Sequence, residues 1–139
     1  MKNTHISIMI CMIIISFTSA WSQVALIANK SVSIESVDKE TLRNIYTLGS
    51  KNIGTVKVIL FDVRDEGETK SNFYSYIGTT PEAIRKIWLR AKLTGTGEPP
   101  IPVSEDEICN KVANTPGSIG YVSASKAKNN VKVIMNLER

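Results

Sequence analysis

Histidine and cysteine are nearly missing from this chain. Its single histidine is His5, and its two cysteines are Cys11 and Cys109. A serine or cysteine nucleophile activated by an imidazole needs a histidine at the site, and so does a histidine-ligated metal. No histidine follows residue 5, so the bulk of the sequence carries neither chemistry. Cys109 is the only thiol after residue 22 and has no intramolecular disulfide partner there, even in an oxidising compartment. Glycine and proline are also sparse, at 8 and 5 residues, which removes the compositional basis for collagen-like or low-complexity readings. Excess charge is small: 17 basic against 13 acidic side chains give +4. Without aromatic residues spaced for base stacking, that surplus does not point to nucleic acid.

What is present is enough for one packed domain. The 139 residues are 42% hydrophobic and 22% charged, inside the range of a single globular unit. Lys2 precedes an apolar stretch at 6–17 that ends in small residues at Thr18, Ser19 and Ala20. This pattern reads as a secretory signal peptide over residues 1–22, too short to cross a bilayer comfortably as a mature helix. Cys11 lacks the small residues that should precede a lipidated cysteine. Residues 23–139 are then expected as a soluble periplasmic domain.

Strand-like runs alternate with helical patterns, the order of an α/β domain with crossover helices. Residues 24–28 read as a first strand and 56–63 as a second, its consecutive Ile59, Leu60 and Phe61 suggesting cover on both faces. Residues 118–122 and 131–135 supply two shorter candidates. Asp38 is placed to cap a helix carrying Leu42, Ile45 and Tyr46, with Gly49 as its left-handed stop. Thr80 before Pro81 predicts a second helix start, with Ala83, Ile84, Ile87, Trp88 and Ala91 on one apolar face and Arg85, Lys86 and Arg90 outside it. Ser104 and Glu107 have capping-box spacing before Ile108, Val112 and Ala113. Cys109 beside that face reads as a buried, inert thiol. Residues 95–100, with two glycines and paired prolines, read as a loop.

One segment suggests binding chemistry. Arg64-Asp65-Glu66-Gly67-Glu68-Thr69-Lys70 lies between the strand ending at Val63 and a helix through Phe73, Tyr74 and Ile77. At such a junction the free N–H groups of the first helical turn face one spot, and Arg64 and Lys70 supply positive charge to an oxyanion there. Three carboxylates share the loop, so a solvated, capped turn is the other reading.

Three segments occur in a telling order: Thr41-Leu42-Arg43-Asn44-Ile45-Tyr46-Thr47-Leu48-Gly49, the 64–70 loop, and Thr115-Pro116-Gly117-Ser118-Ile119-Gly120-Tyr121-Val122. Together they resemble the substrate-binding proteins of ABC phosphate transporters, in particular small single-domain members. In that family a Leu-Gly helix end, an Arg-x-x-Gly-Ser-Gly-Thr anion loop and a Pro-Gly-x-Ile-Gly-Tyr-Val segment follow one another. The resemblance implies a single periplasmic-binding-protein-like lobe, with a mixed, mostly parallel sheet flanked by helices. It also implies binding of phosphate or a related small oxyanion for transport or sensing, with a transporter or envelope protein as partner and with no enzymatic step or cofactor. Arg64 matches the family's phosphate-pairing arginine, Gly67 its turn glycine and Thr69 its threonine donor, with Glu68 and Lys70 completing the candidate site. The family's Ser-Gly pair is absent, and Glu68 stands where a hydroxyl and open backbone are usual. A second reading therefore stands beside the first: an envelope interaction module that kept the fold and lost the anion pocket.

Overall fold

The computed structural model describes residues 23–138; the predicted signal peptide lies outside them. Seven strands and four α-helices follow in the order β1 (Val24–Ala28), α1 (Lys39–Thr47), β2 (Asn52–Ile53), β3 (Val56–Lys57), β4 (Ile59–Val63), α2 (Glu68–Tyr76), α3 (Pro81–Thr94), β5 (Ile101–Val103), α4 (Glu105–Asn114), β6 (Ser118–Ser123) and β7 (Lys132–Leu137). Five strands form one sheet in the order β5-β4-β6-β1-β7, and β2 and β3 form a small hairpin. β4 pairs in parallel with β5 and β6, whereas β1 runs antiparallel to both β6 and β7. All strands of the main sheet but β1 therefore point the same way. The expected mixed α/β sheet is present, and the strand candidates at 24–28, at the end of 56–63 and at 118–122 lie inside it as β1, β4 and β6.

Local signals account for the helices. Asp38 Oδ1 accepts the Thr41 N–H at 2.9 Å to start α1, and Gly49 follows its end at φ 73°, the left-handed region that glycine enters without a Cβ clash. Thr80 caps α3 by accepting the Ala83 N–H at 3.2 Å, with Pro81 in the first turn. Sequence periodicity overstated the buried face of α3. Ile84 and Trp88 are buried, but Ile87 is 41% exposed and Ala83 is exposed, because α1 and α2, the helices packed against α3, cover a narrow stripe of it.

The predicted strand 56–63 is two elements. Lys57 ends a hairpin strand and Val58 donates to Lys51 O, after which β4 enters the sheet with Ile59 40% exposed and Leu60 and Phe61 buried. β5 had no counterpart in the sequence reading, since it is three residues long and contains Pro102. Proline is tolerated there because β5 is an edge strand.

Helices cover both faces of the sheet. On one, Gly120 of β6 admits α4 closely: a Cβ at this position would lie 3.3 Å from side-chain carbons of Ile108 and Val112. On the other face, β6 presents Tyr121, which stacks on Phe73 of α2 with ring centroids 3.7 Å apart. Tyr46 of α1 meets Phe73 edge-on at 4.8 Å. Much of the scarce aromatic content is thus spent on one buried cluster tying α1, α2 and β6. Hydrogen bonds extend it: Tyr46 Oη donates to Phe61 O at 2.8 Å, and Trp88 Nε1 donates to Tyr46 O at 3.1 Å. Among the described residues no helix is long and apolar enough to cross a membrane.

Candidate functional site

Because β4, β5 and β6 are parallel, their carboxyl ends share one edge of the sheet, where crevices for ligands form in open α/β sheets. Three segments meet there: the loop after β4, the start of α4 immediately after β5, and the short 3-10 turn Ala124–Lys126 after β6. Arg64 extends the β4–β5 ladder, its N–H donating to Val103 O at 2.8 Å. Its side chain is exposed and takes part in none of the ion pairs found among the described residues.

The loop then turns into α2 at Gly67, which has no side chain with which to cap the helix. The N–H groups of Glu68, Thr69 and Lys70 have no hydrogen-bond partner among the described residues, so the positive end of α2 is open. Gly67 itself is extended, at φ 165°, with nothing within 4 Å of a Cβ placed on it; in this conformation the position does not require glycine. Glu68 is exposed, whereas Thr69 is buried and Lys70 nearly so, with 14% of its side chain accessible.

The remaining charges of the loop are engaged. Glu66 pairs with Arg85 at 2.8 Å and with Lys70 at 3.7 Å. Asp65 reaches across to α4, where Oδ2 accepts the Glu105 N–H at 3.2 Å. This corrects the expected capping box. Ser104 does sit at the cap of α4, but its side chain makes no cap hydrogen bond, and Glu107 N–H is taken by Ser104 O at 3.1 Å. A carboxylate brought in by tertiary structure takes the N–H of the first helical residue instead, a different donor from the Glu107 N–H that the local hydroxyl was expected to accept.

Glu105 ties the three segments together. Its Oε1 accepts from Thr69 Oγ1 at 2.9 Å and from the Ser123 N–H at 3.0 Å, and its Oε2 lies 3.6 Å from Lys126 Nζ. The Glu105 charge holds the Lys126 ammonium above the ordinary lysine value. Behind the site, Asp62 on β4 accepts from Tyr74 Oη at 2.9 Å and from Tyr121 Oη. Burial pushes the Asp62 carboxyl above the ordinary aspartate value, against the downward pull of the Tyr121 hydrogen bond and the nearby Lys70 charge. Tyr74 and Tyr121 are raised as well, chiefly by burial, and both stay protonated donors.

Of the residues singled out in the sequence, Arg64, Gly67, Glu68, Thr69 and Lys70 are consecutive or nearly so and lie at one strand-to-helix junction. Glu105, Ser123 and Lys126 complete the edge and had not been singled out, while Asp65 had been counted only as one of the loop's carboxylates. Their only sequence signal was indirect: had Ile101–Val103 been recognised as a strand parallel to β4, Glu105 would have fallen beside Thr69.

Neither a protein-family model nor a curated protein matches the chain. Solved structures do match. A candidate phosphate ABC transporter substrate-binding protein with bound phosphate, from Clostridium perfringens, aligns with a TM-score of 0.61 at 20% identity, over 81% of this chain and 45% of its own. An ABC-type phosphate transport receptor from Vibrio cholerae gives 0.62 at 16%, over 83% and 47%. PstS from Borrelia burgdorferi gives 0.56 at 21%, over 81% and 47%. The chain spans less than half the length of each. At these identities the likeness is one of fold, that of a periplasmic-binding-protein-like α/β lobe.

Proposed function

We propose that this chain is an exported lobe that binds phosphate or a related small oxyanion at the carboxyl edge of its sheet, in the service of a transport or sensing system of the envelope. The observation that carries the reading is the start of α2. Three consecutive N–H groups, at Glu68, Thr69 and Lys70, are without a hydrogen-bond partner among the described residues, in the same loop-to-helix junction as the exposed Arg64. An oxyanion placed there gains charge-assisted hydrogen bonds from the backbone and from Arg64, in the field of the helix N-terminus. The fold shared with proteins named as phosphate receptors, one of them with phosphate bound, supports a small oxyanion as the ligand, and the predicted signal peptide at 1–22 supports a periplasmic location. Binding, release and docking are the whole of the proposed activity; no chemical step is invoked.

Glu68 opposes the ligand through its charge at the first helical position, so the two side chains flanking the open N–H groups act in opposite senses. Calorimetric titration with phosphate and with sulfate tests this directly. Arg64→Ala is expected to weaken binding by about 1.5–3 kcal/mol through loss of a charged hydrogen bond, and Glu68→Ser to tighten it. If the parent protein and both variants bind neither anion, the reading fails and the interaction-module alternative replaces it.

A further inference from the structure

The edge that is open at the start of α2 is closed one residue further on, and an anion of the protein's own closes it. Thr69 is the residue whose hydroxyl the family resemblance assigns to the ligand, yet that hydroxyl donates to Glu105 Oε1 at 2.9 Å. The same oxygen takes the Ser123 N–H at 3.0 Å at the end of β6, and the other carboxylate oxygen faces the Lys126 ammonium at 3.6 Å. A hydroxyl, a backbone N–H and an ammonium converging on two oxygens form a donor set suited to an oxyanion. The carboxylate is held firmly, with 17% of its side chain accessible and its backbone N–H anchored by Asp65.

We infer that Glu105 is a resident anion: its carboxylate occupies part of the oxyanion site, and an incoming ligand must displace it to reach Thr69, Ser123 and Lys126. This inference rests on the oxyanion-binding reading above and deepens it by naming what sets the affinity. The competition is intramolecular, so the resident carboxylate is present at high effective concentration whatever the ligand concentration. A ligand satisfied by Arg64 and the α2 N–H groups alone binds without displacing Glu105, but weakly. One that also gains Thr69, Ser123 and Lys126 binds tightly only after Glu105 swings out from the first turn of α4. Glu105 therefore sets the threshold concentration at which the lobe responds, a property suited to sensing an abundant anion rather than scavenging a scarce one.

Titration of inorganic phosphate by calorimetry into the parent protein, Glu105→Ala and Glu105→Gln tests the inference, with thermal melting of each confirming the fold. Glu105→Ala is expected to lower the Kd at least tenfold. Glu105→Gln, which keeps an acceptor for Thr69 but carries no charge, is expected to fall between the two. If Glu105→Ala does not fold, the tightening in Glu105→Gln decides. Unchanged or weaker binding in the Glu105 variants, with the parent still binding phosphate and Arg64→Ala weakening it, overturns the resident-anion inference and leaves the oxyanion reading standing. Absence of binding in the parent and in both Glu105 variants overturns both.

Discussion

Of the three segments that carry the family resemblance, two span turns, and these two behave differently. The α4–β6 turn, at 115–122, keeps its pattern, and the structure uses it to build the fold. Gly117 adopts φ 76°, Ser118 Oγ donates to Thr115 O at 2.7 Å and to Val112 O at 3.1 Å, Gly120 lets α4 approach, and Tyr121 enters the aromatic cluster. The β4–α2 turn, at 64–70, lacks the family's Ser-Gly pair. There the fold makes few demands: Gly67 is unconstrained, Arg64 is exposed, and acidic side chains from two elements crowd the edge. The most specific motif in the sequence thus reports the fold, and the less well preserved one reports the site. Fold and ligand affinity can part company in such a chain, because packing at the first turn does not depend on what the second one binds.

Substitutions at the two turns should therefore have different readouts. The largest effect is expected at Tyr121, where alanine removes a ring stacked on Phe73 and a donor to Asp62. A loss of about 3–5 kcal/mol is expected in urea unfolding, as for other large aromatic truncations in a core. A loss below about 1 kcal/mol would show that the cluster does not organise the fold. At the second turn, Asp65→Ala removes the acceptor at the start of α4 and is expected to cost about 0.5–2 kcal/mol, whereas Ser104→Ala, whose hydroxyl makes no cap bond, should fall well below that. The reverse order would restore the local capping box.

A smaller effect separates the buried carboxylate from the exposed ones. The folded value of Asp62 is raised, so its contribution to stability is present below the ordinary value of 3.8 and is lost as pH rises through the folded value. Asp38 and Glu98 are lowered by hydrogen bonds from Thr41 and Lys51, and they act in the opposite sense. Unfolding of the parent and of Asp62→Asn across this pH range isolates the Asp62 contribution. The parent should lose stability relative to the variant as pH rises, and parallel curves would show that Asp62 ionises without cost.

How much of this was legible follows the range of the interactions. Asp38 before α1, Thr80-Pro81 before α3 and the fully buried β1 were readable, since cap, proline and apolar run act within a few residues. The β2–β3 hairpin and β5 were not: the first is two residues to a strand, and the second is an edge strand interrupted by Pro102. Missing β5 left the start of α4 unplaced beside the β4–α2 loop and so concealed the roles of Asp65, Glu105 and Ser123, whose partners lie 40, 36 and 18 residues away. The apolar face drawn for α3 was too wide for the same reason. Periodicity identifies Ile87 as apolar but cannot say that no element covers it.

The most direct test of oxyanion binding at the carboxyl edge is amide chemical-shift mapping during titration of inorganic phosphate into the protein. The account predicts that shifts concentrate on the N–H groups of Glu68, Thr69 and Lys70 and on Ser123, while Gly117, Ser118 and Gly120 in the fold-building turn stay in place. Shifts confined to the groove between Leu48 at the end of α1 and Ile87 and Trp88 on α3, or none at millimolar phosphate, would contradict it.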